Sequence, residues 1–212
     1  MRWLDALERR IGDWSIPQFP LFIAVAPAVV YVLKLTRPEF LDRLKLNPAA
    51  IRDGELWRVF TFLFVPPWDN LLMLMLWLFV TYQFAQALEQ AWGAFRFCFF
   101  YLFGAIVTAL AAVFWINAPL SNAPLNTSLF LAFATLYPDV EVLLFFIIPL
   151  KVKYLAWLTW LGVLISFIFG NNITRVGITA SLANYLLFFG PSIWNTLTLK
   201  WHVYRNRGKF NR

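Results

Sequence analysis

"NAPLSNAPLNTS", residues 117–128, interrupts the longest charge-free run of the chain, 97–138. That run is too long for one crossing, since about 20 apolar residues cover the hydrocarbon core of a bilayer. The asparagines and prolines in its middle cannot simply face lipid. Proline removes a backbone donor, and a carboxamide in hydrocarbon requires a partner. The segment therefore divides the run into two helices, at roughly 96–116 and 123–138. The second is short and apolar at its end. It is expected in the middle of a bundle, where protein rather than lipid surrounds its ends.

Working outward, the rest of the chain also calls for the bilayer as solvent. Of its 212 residues 61% are hydrophobic and 19% aromatic, and the mean hydropathy is +0.66. Only 14% are charged, against about 25% in a soluble domain. The charge-free stretches 70–88, 154–174 and 176–199 and the apolar segment after residue 15 supply further helices. Their expected bounds are 16–35, 70–88, 153–170 and 175–196. With 96–116 and 123–138 that makes an all-α membrane protein of six transmembrane helices. No repeat, linker or low-complexity run divides it, so 1–212 reads as one membrane domain, with 197–212 as a basic cytoplasmic tail. The first apolar segment follows an amphipathic lead-in without a small-residue cleavage site, so it is not expected to be a cleaved signal. The single cysteine, Cys98, falls inside the third helix and reads as a buried structural thiol.

The net charge is +7. An N-in, C-in arrangement puts eleven of the eighteen basic residues on the inner side, among them Arg96, Lys151, Lys153 and the bases of the tail. Six of the seven outer ones fall in the single region 34–58, beside Glu39, Asp42, Asp53 and Glu55. The positive-inside rule thus accounts for the basic balance, and anionic headgroups rather than nucleic acid are the expected partner. Two segments are too short to cross. "LNPAAIRDGELWRVFTFLFVPPWDN", 46–70, suits an interfacial hairpin, and "VEVLLFFIIPLKVKY", 140–154, an interfacial piece on the inner side.

The first of these carries a resemblance. "LNP..I..GELWRVFTFLF", with Trp57 and Arg58, resembles the first extramembrane loop of the rhomboid superfamily. "LEQAWGAFRF", with Glu89 and Gly93, is similar to that family's turn from the second helix to the third. "YPDVEVLLFFIIPLKVKYLAW" (137–157) and "GITASLANYLLFFGP" (177–191) resemble the segment after its fourth helix and its sixth helix. The likeness covers about 15–195 and implies a six-helix rhomboid-like bundle. On physical grounds alone Arg58 needs partners, either backbone carbonyls or a headgroup phosphate, and Trp57 suits the same depth. Glu89 could pair with Arg96 or cap the third helix.

An active rhomboid implies a Gly-x-Ser-Gly serine at the start of the fourth helix and a histidine on the sixth. Counting back from Pro138 places the nucleophile position near Ala123, followed by Pro124. The base position falls near Ala183 and Asn184. Ser121 and Ser128 are the fallback serines. A serine hydroxyl is a poor nucleophile without a positioned base. The one histidine, His202, lies in the basic tail, and no Lys, Asp or Glu falls in the interior of a span, since Lys34 and Lys153 stand only at span ends. No catalytic residue, metal site or cofactor is therefore expected. Asn126, Thr127 and Ser128 read as a cap cluster for the fourth helix. Asn184, a carboxamide within a span, needs a partner, and the rhomboid resemblance aims it at the fourth helix, where a contact with Ser128 or Asn126 would hold the helices together or offer a polar notch to clients.

Among rhomboid-like proteins the derlins share this lack of a serine–histidine dyad, and the chain resembles them or a bacterial rhomboid pseudoprotease. The resemblance implies an inactive pseudoprotease that binds transmembrane or misfolded client proteins in membrane quality control and hands them to a membrane protease or extraction machinery. A divergent active rhomboid protease and a scaffold with one partner are the alternatives. The absence of a long adaptor-binding tail places the expectation in the bacterial cytoplasmic (inner) membrane.

Overall fold

The computed structural model describes residues 8–10, 16, 18–144 and 148–190. The basic tail, His202 and the end of the expected sixth helix lie outside the described residues. The first long helix, α1, is Phe19–Thr36, with proline in its first turn and Pro27 inside. Phe19, Ile23, Pro27, Val30 and Tyr31 form its buried face, at the three- and four-residue spacing of one helical stripe. That face packs on α5, Leu71–Trp92. The Tyr31 hydroxyl adds a hydrogen bond to the Asp69 carbonyl (3.0 Å), and Lys34 pairs with the Asp69 carboxylate.

Between α1 and α5, α2 (Pro38–Leu44) comes first, and 46–70 folds as two short helices, α3 (Pro48–Arg52) and α4 (Arg58–Thr61), the last tightening into a 3-10 turn at Phe62–Phe64. Proline begins α2 and α3, where its missing N–H is harmless. The Asn47 side chain caps α3 by accepting from Ala49 N. The prolines at 66 and 67 then end the run.

α5 starts on an Asn70 cap and continues past the expected end at 88 to Trp92. Glu89 and Gln90 lower the hydropathy there without breaking the helix. The stop is Gly93, at φ 87° and ψ 155°, a conformation close to glycine-only. That one residue turns α5 into α6, Ala94–Ala111, which continues as a π turn to Ile116 and ends on left-handed Asn117. α6 is the inner helix: ten of its residues are buried, whereas along the helix Val152–Phe169 only Val152 is. α7, Ala123–Leu136, is short, and Leu125, Ser128, Leu129, Leu131, Ala132, Phe133 and Ala134 are buried along it. It contacts α5, α6 and α8.

The chain departs from all-α after α7. Glu141–Leu144 (β1) and Ile148–Lys151 (β2) pair antiparallel, with Glu141 opposite Lys151 and Leu144 opposite Ile148. The run is rich in β-branched and aromatic residues and too short to cross, and Pro149 within it disfavours a helix. Such a segment satisfies its backbone better as a ladder than as an isolated helix. The base of the hairpin also serves α8, Val152–Phe169. Val152 N donates to Val140 O and Lys153 N to Pro138 O, which satisfies two donors a helix start leaves open. Residues 172–190 form α9. Phe188 and Phe189 of α9 pack against Trp92 and Phe100 (Phe100–Phe188 5.0 Å) and lock it to the α5–α6 corner.

Lys153 also bridges to Asp139 at 2.8 Å, and that hydrogen bond and charge hold the Asp139 carboxyl below its usual 3.8. A depressed carboxyl stabilises the folded state fully above its unfolded value, and that contribution fades as pH falls through the lower folded one. Hairpin pairing is therefore expected to loosen below about pH 4. An Asp139→Asn variant should show no such acid-dependent step in backbone infrared or NMR signals. A step of the same size in both would assign it elsewhere.

Among the described residues four helices are long and apolar enough to cross a membrane: Phe19–Thr36, Leu71–Trp92, Ala94–Ile116 and Val152–Phe169.

Candidate functional site

α7 meets the rest of the bundle through polar atoms that its sequence only partly advertises. Pro124 in its first turn sets the entry, and Asn122 precedes it in the cap position. The Asn122 side chain does not cap. It is buried and donates to the carbonyls of Leu63 (3.1 Å) and Val65 (2.9 Å), tying the start of α7 to the 3-10 turn. The expected cap cluster is corrected accordingly. The helix starts at Ala123, so Asn126, Thr127 and Ser128 lie inside it, and Thr127 and Ser128 bond back to the Ala123 and Leu125 carbonyls. Asn122 was missed because nothing in its neighbouring residues marks it out from the other polar residues of 117–128. Its burial depends on a segment some sixty residues away.

Ser128 is fully buried (0% exposed) and Asn184 of α9 nearly so (1%). Asn184 Nδ2 donates to Ser128 Oγ at 3.1 Å, while that hydroxyl donates to Leu125 O at 2.8 Å. The structure thus brings together two of the three notch candidates. Asn126 Oδ1, Asn184 Oδ1 and Ser181 Oγ are buried without hydrogen-bond partners among the described residues. Ala123, Ser121 and Ala183 are exposed, and Ser121 Oγ merely accepts from Ala123 N. The α7 residue that bonds Asn184 is Ser128, not Ala123. Two turns further along α7, Thr135 Oγ1 and Tyr185 OH lie 2.7 Å apart and form a second α7–α9 link.

Room for the Asn184 contact comes from α6. A Cβ at Gly104 would lie 2.6 Å from Asn184 Nδ2 and 2.4 Å from Leu125 Cδ1. The absence of a side chain there lets α6, α7 and α9 converge.

Trp57 and Arg58 point in opposite senses. Trp57 is 53% exposed, whereas Arg58 is 7% exposed. The guanidinium donates to the carbonyls of Asp42 (2.6 Å) and Lys45 (3.0 Å) and to the Glu55 carboxylate. Glu89 is half-buried and makes no ion pair among the described residues. The expected Glu89–Arg96 pair is corrected: Arg96 holds the Glu8 carboxylate through Nε and Nη2 at 2.9 and 2.8 Å. Nor does Glu89 cap α6, which starts on Gly93 without a side-chain bond. Cys98 is buried and free.

Beside this polar cluster, a cleft of about 660 Å³ opens between α7, α8 and α9. Ser181 lines it, as do Ala123 and Thr127.

The sequence over residues 20–193 matches the family model described as eukaryotic integral membrane protein (DUF1751). The match spans most of the chain. This protein belongs to the DUF1751 family of integral membrane proteins. No curated protein matches the chain. Membership overturns the bacterial inner-membrane expectation, because the family is described as eukaryotic. Hydropathy and helix length obey the same physics in both kinds of membrane, so the residues did not distinguish them. The bacterial preference had rested on the shortness of the tail, which is not a property of any bilayer.

Proposed function

We propose that this DUF1751 protein is a catalytically inactive, rhomboid-like membrane protein that recognises transmembrane or misfolded clients within the bilayer. In this reading α1, α5, α6, α7, α8 and α9 are the six spans of a rhomboid-like bundle, and 46–70 is its first extramembrane loop. The Ser128–Asn184 pair carries the proposal. It links the short fourth helix to the sixth, where the rhomboid resemblance sets a serine against a histidine. A carboxamide has no basic lone pair in either orientation, and the Ser128 hydroxyl hydrogen is already engaged by Leu125 O. A hydroxyl so placed is not activated for attack. What remains is a polar contact in apolar surroundings, suited to holding helices together and to receiving the polar groups of a client. Clients would then pass to a membrane protease or extraction machinery, which places the protein in membrane quality control.

Two measurements in native membranes test this. Photocrosslinkers on α7 and α9 are expected to capture several unrelated membrane segments. A serine-reactive fluorophosphonate is expected to label neither Ser121 nor Ser128. Capture of a single protein would make it a dedicated scaffold. Labelling lost in Ser128→Ala would make it a protease.

A further inference from the structure

α8 and α9 repeat one pattern of small residues. On α8 it is Thr159, Gly162 and Ser166, and on α9 it is Thr174, Gly177 and Ser181. In both, threonine is followed by glycine three residues on and by serine four residues after that, at either side of the turn at Gly170 and Asn171. All six line the 660 Å³ cleft. Seams of this kind let helix backbones approach closely inside a membrane. Here a space of ligand-pocket size stands between them instead.

The chemistry of the lining selects what could fill it. None of the lining side chains is charged, so a charged segment would lose its hydration without compensation. Thr159 and Thr174 donate their hydroxyl hydrogens to Leu155 O and Asn171 Oδ1, which leaves lone pairs free to accept. Ser181, 4% exposed, has no partner among the described residues. A lipid acyl chain would leave every one of these groups unmatched, at a desolvation cost. A helix carrying Ser or Thr hydroxyls could match them, and its Gly and Ala positions would fit between the glycines. α8 can accommodate it, since Val152 alone is buried along that helix.

We propose that the α7–α8–α9 cleft is the docking seam for a client transmembrane helix that presents its own stripe of Gly, Ala, Ser or Thr at four-residue spacing. This rests on the client-binding reading and names the class of client.

The test uses the full-length protein in lipid vesicles with a photoreactive side chain at Val163, which lines the cleft, or at Leu72 on the exposed face of α5. Two synthetic transmembrane peptides of equal length serve as probes, one all-leucine and one with a Gly/Ser stripe. Val163 is expected to capture the striped peptide about tenfold more than the other, as one good interhelical polar contact allows. Gly162→Leu should abolish the preference, because its side chain would enter open space rather than the core. Ser181→Ala should reduce it several-fold. Preference that survives Gly162→Leu, or that is seen from Leu72 and not Val163, overturns the cleft assignment and leaves client binding standing. Equal capture of both peptides at every position overturns client binding as well.

Discussion

Arg58→Ala is expected to lower the unfolding free energy in detergent by about 3 kcal/mol. Arg58 satisfies two carbonyls at the end of α2, those of Asp42 and Lys45, while Thr61 Oγ1 takes that of Leu44 (3.1 Å). The last carbonyls of a helix have no partner within it, and a cation there also meets the negative end of its dipole. Alanine would strip both carbonyls of their donor at a buried position. The Glu55 carboxylate would lose less, since it is partly exposed and can turn to water. Glu55→Gln should therefore cost well under 1 kcal/mol. Arg58→Lys should restore less than half of the loss, because one ammonium cannot reproduce a fork that reaches three oxygens. Chemical denaturation in mild detergent measures all three. A loss below about 1 kcal/mol for Arg58→Ala would mean that water replaces the guanidinium.

The contrast between Arg58 and Asn122 shows what could be read from residues alone. A cation bordering an apolar run must find oxygens, so the need of Arg58 for carbonyls followed from local chemistry. Which carbonyls it finds depends on how α2 folds back, and nothing in the neighbouring letters encodes that. Asn122 offered no such local cue, because what buries it is a distant contact with the Leu63 and Val65 carbonyls. The long helices were legible because charge-free length is a strong signal in a bilayer solvent. The β hairpin was not, because a short apolar run of 140–151 reads alike as strand or interfacial helix. Gly93 was visible as a motif letter, but its turning role shows only in its backbone conformation, with φ at 87°. The small-residue seams of α8 and α9 lay in plain view. They gained meaning only once both were found lining one cleft.

Gly104→Leu is expected to destabilise the protein by about 3 kcal/mol, and Gly104→Ala by about 1 to 2. Helix propensity alone would favour alanine over glycine by about 1 kcal/mol. A net loss must therefore come from packing. The new Cβ of alanine would meet Leu125 Cδ1 at 2.4 Å and Asn184 Nδ2 at 2.6 Å, and both side chains are buried with little room to retreat. Moving the carboxamide lengthens its 3.1 Å bond to Ser128, so the clash and the polar contact are coupled. A double-mutant cycle separates them. Asn184→Ala should cost about 1 kcal/mol as a lost interhelical hydrogen bond. Combined with Gly104→Ala it should cost less than the two losses together, by at least about 0.5 kcal/mol, because removing the carboxamide relieves part of the clash. Additive losses would mean that Leu125 alone absorbs the strain, and that Gly104 is not what positions Asn184 against Ser128.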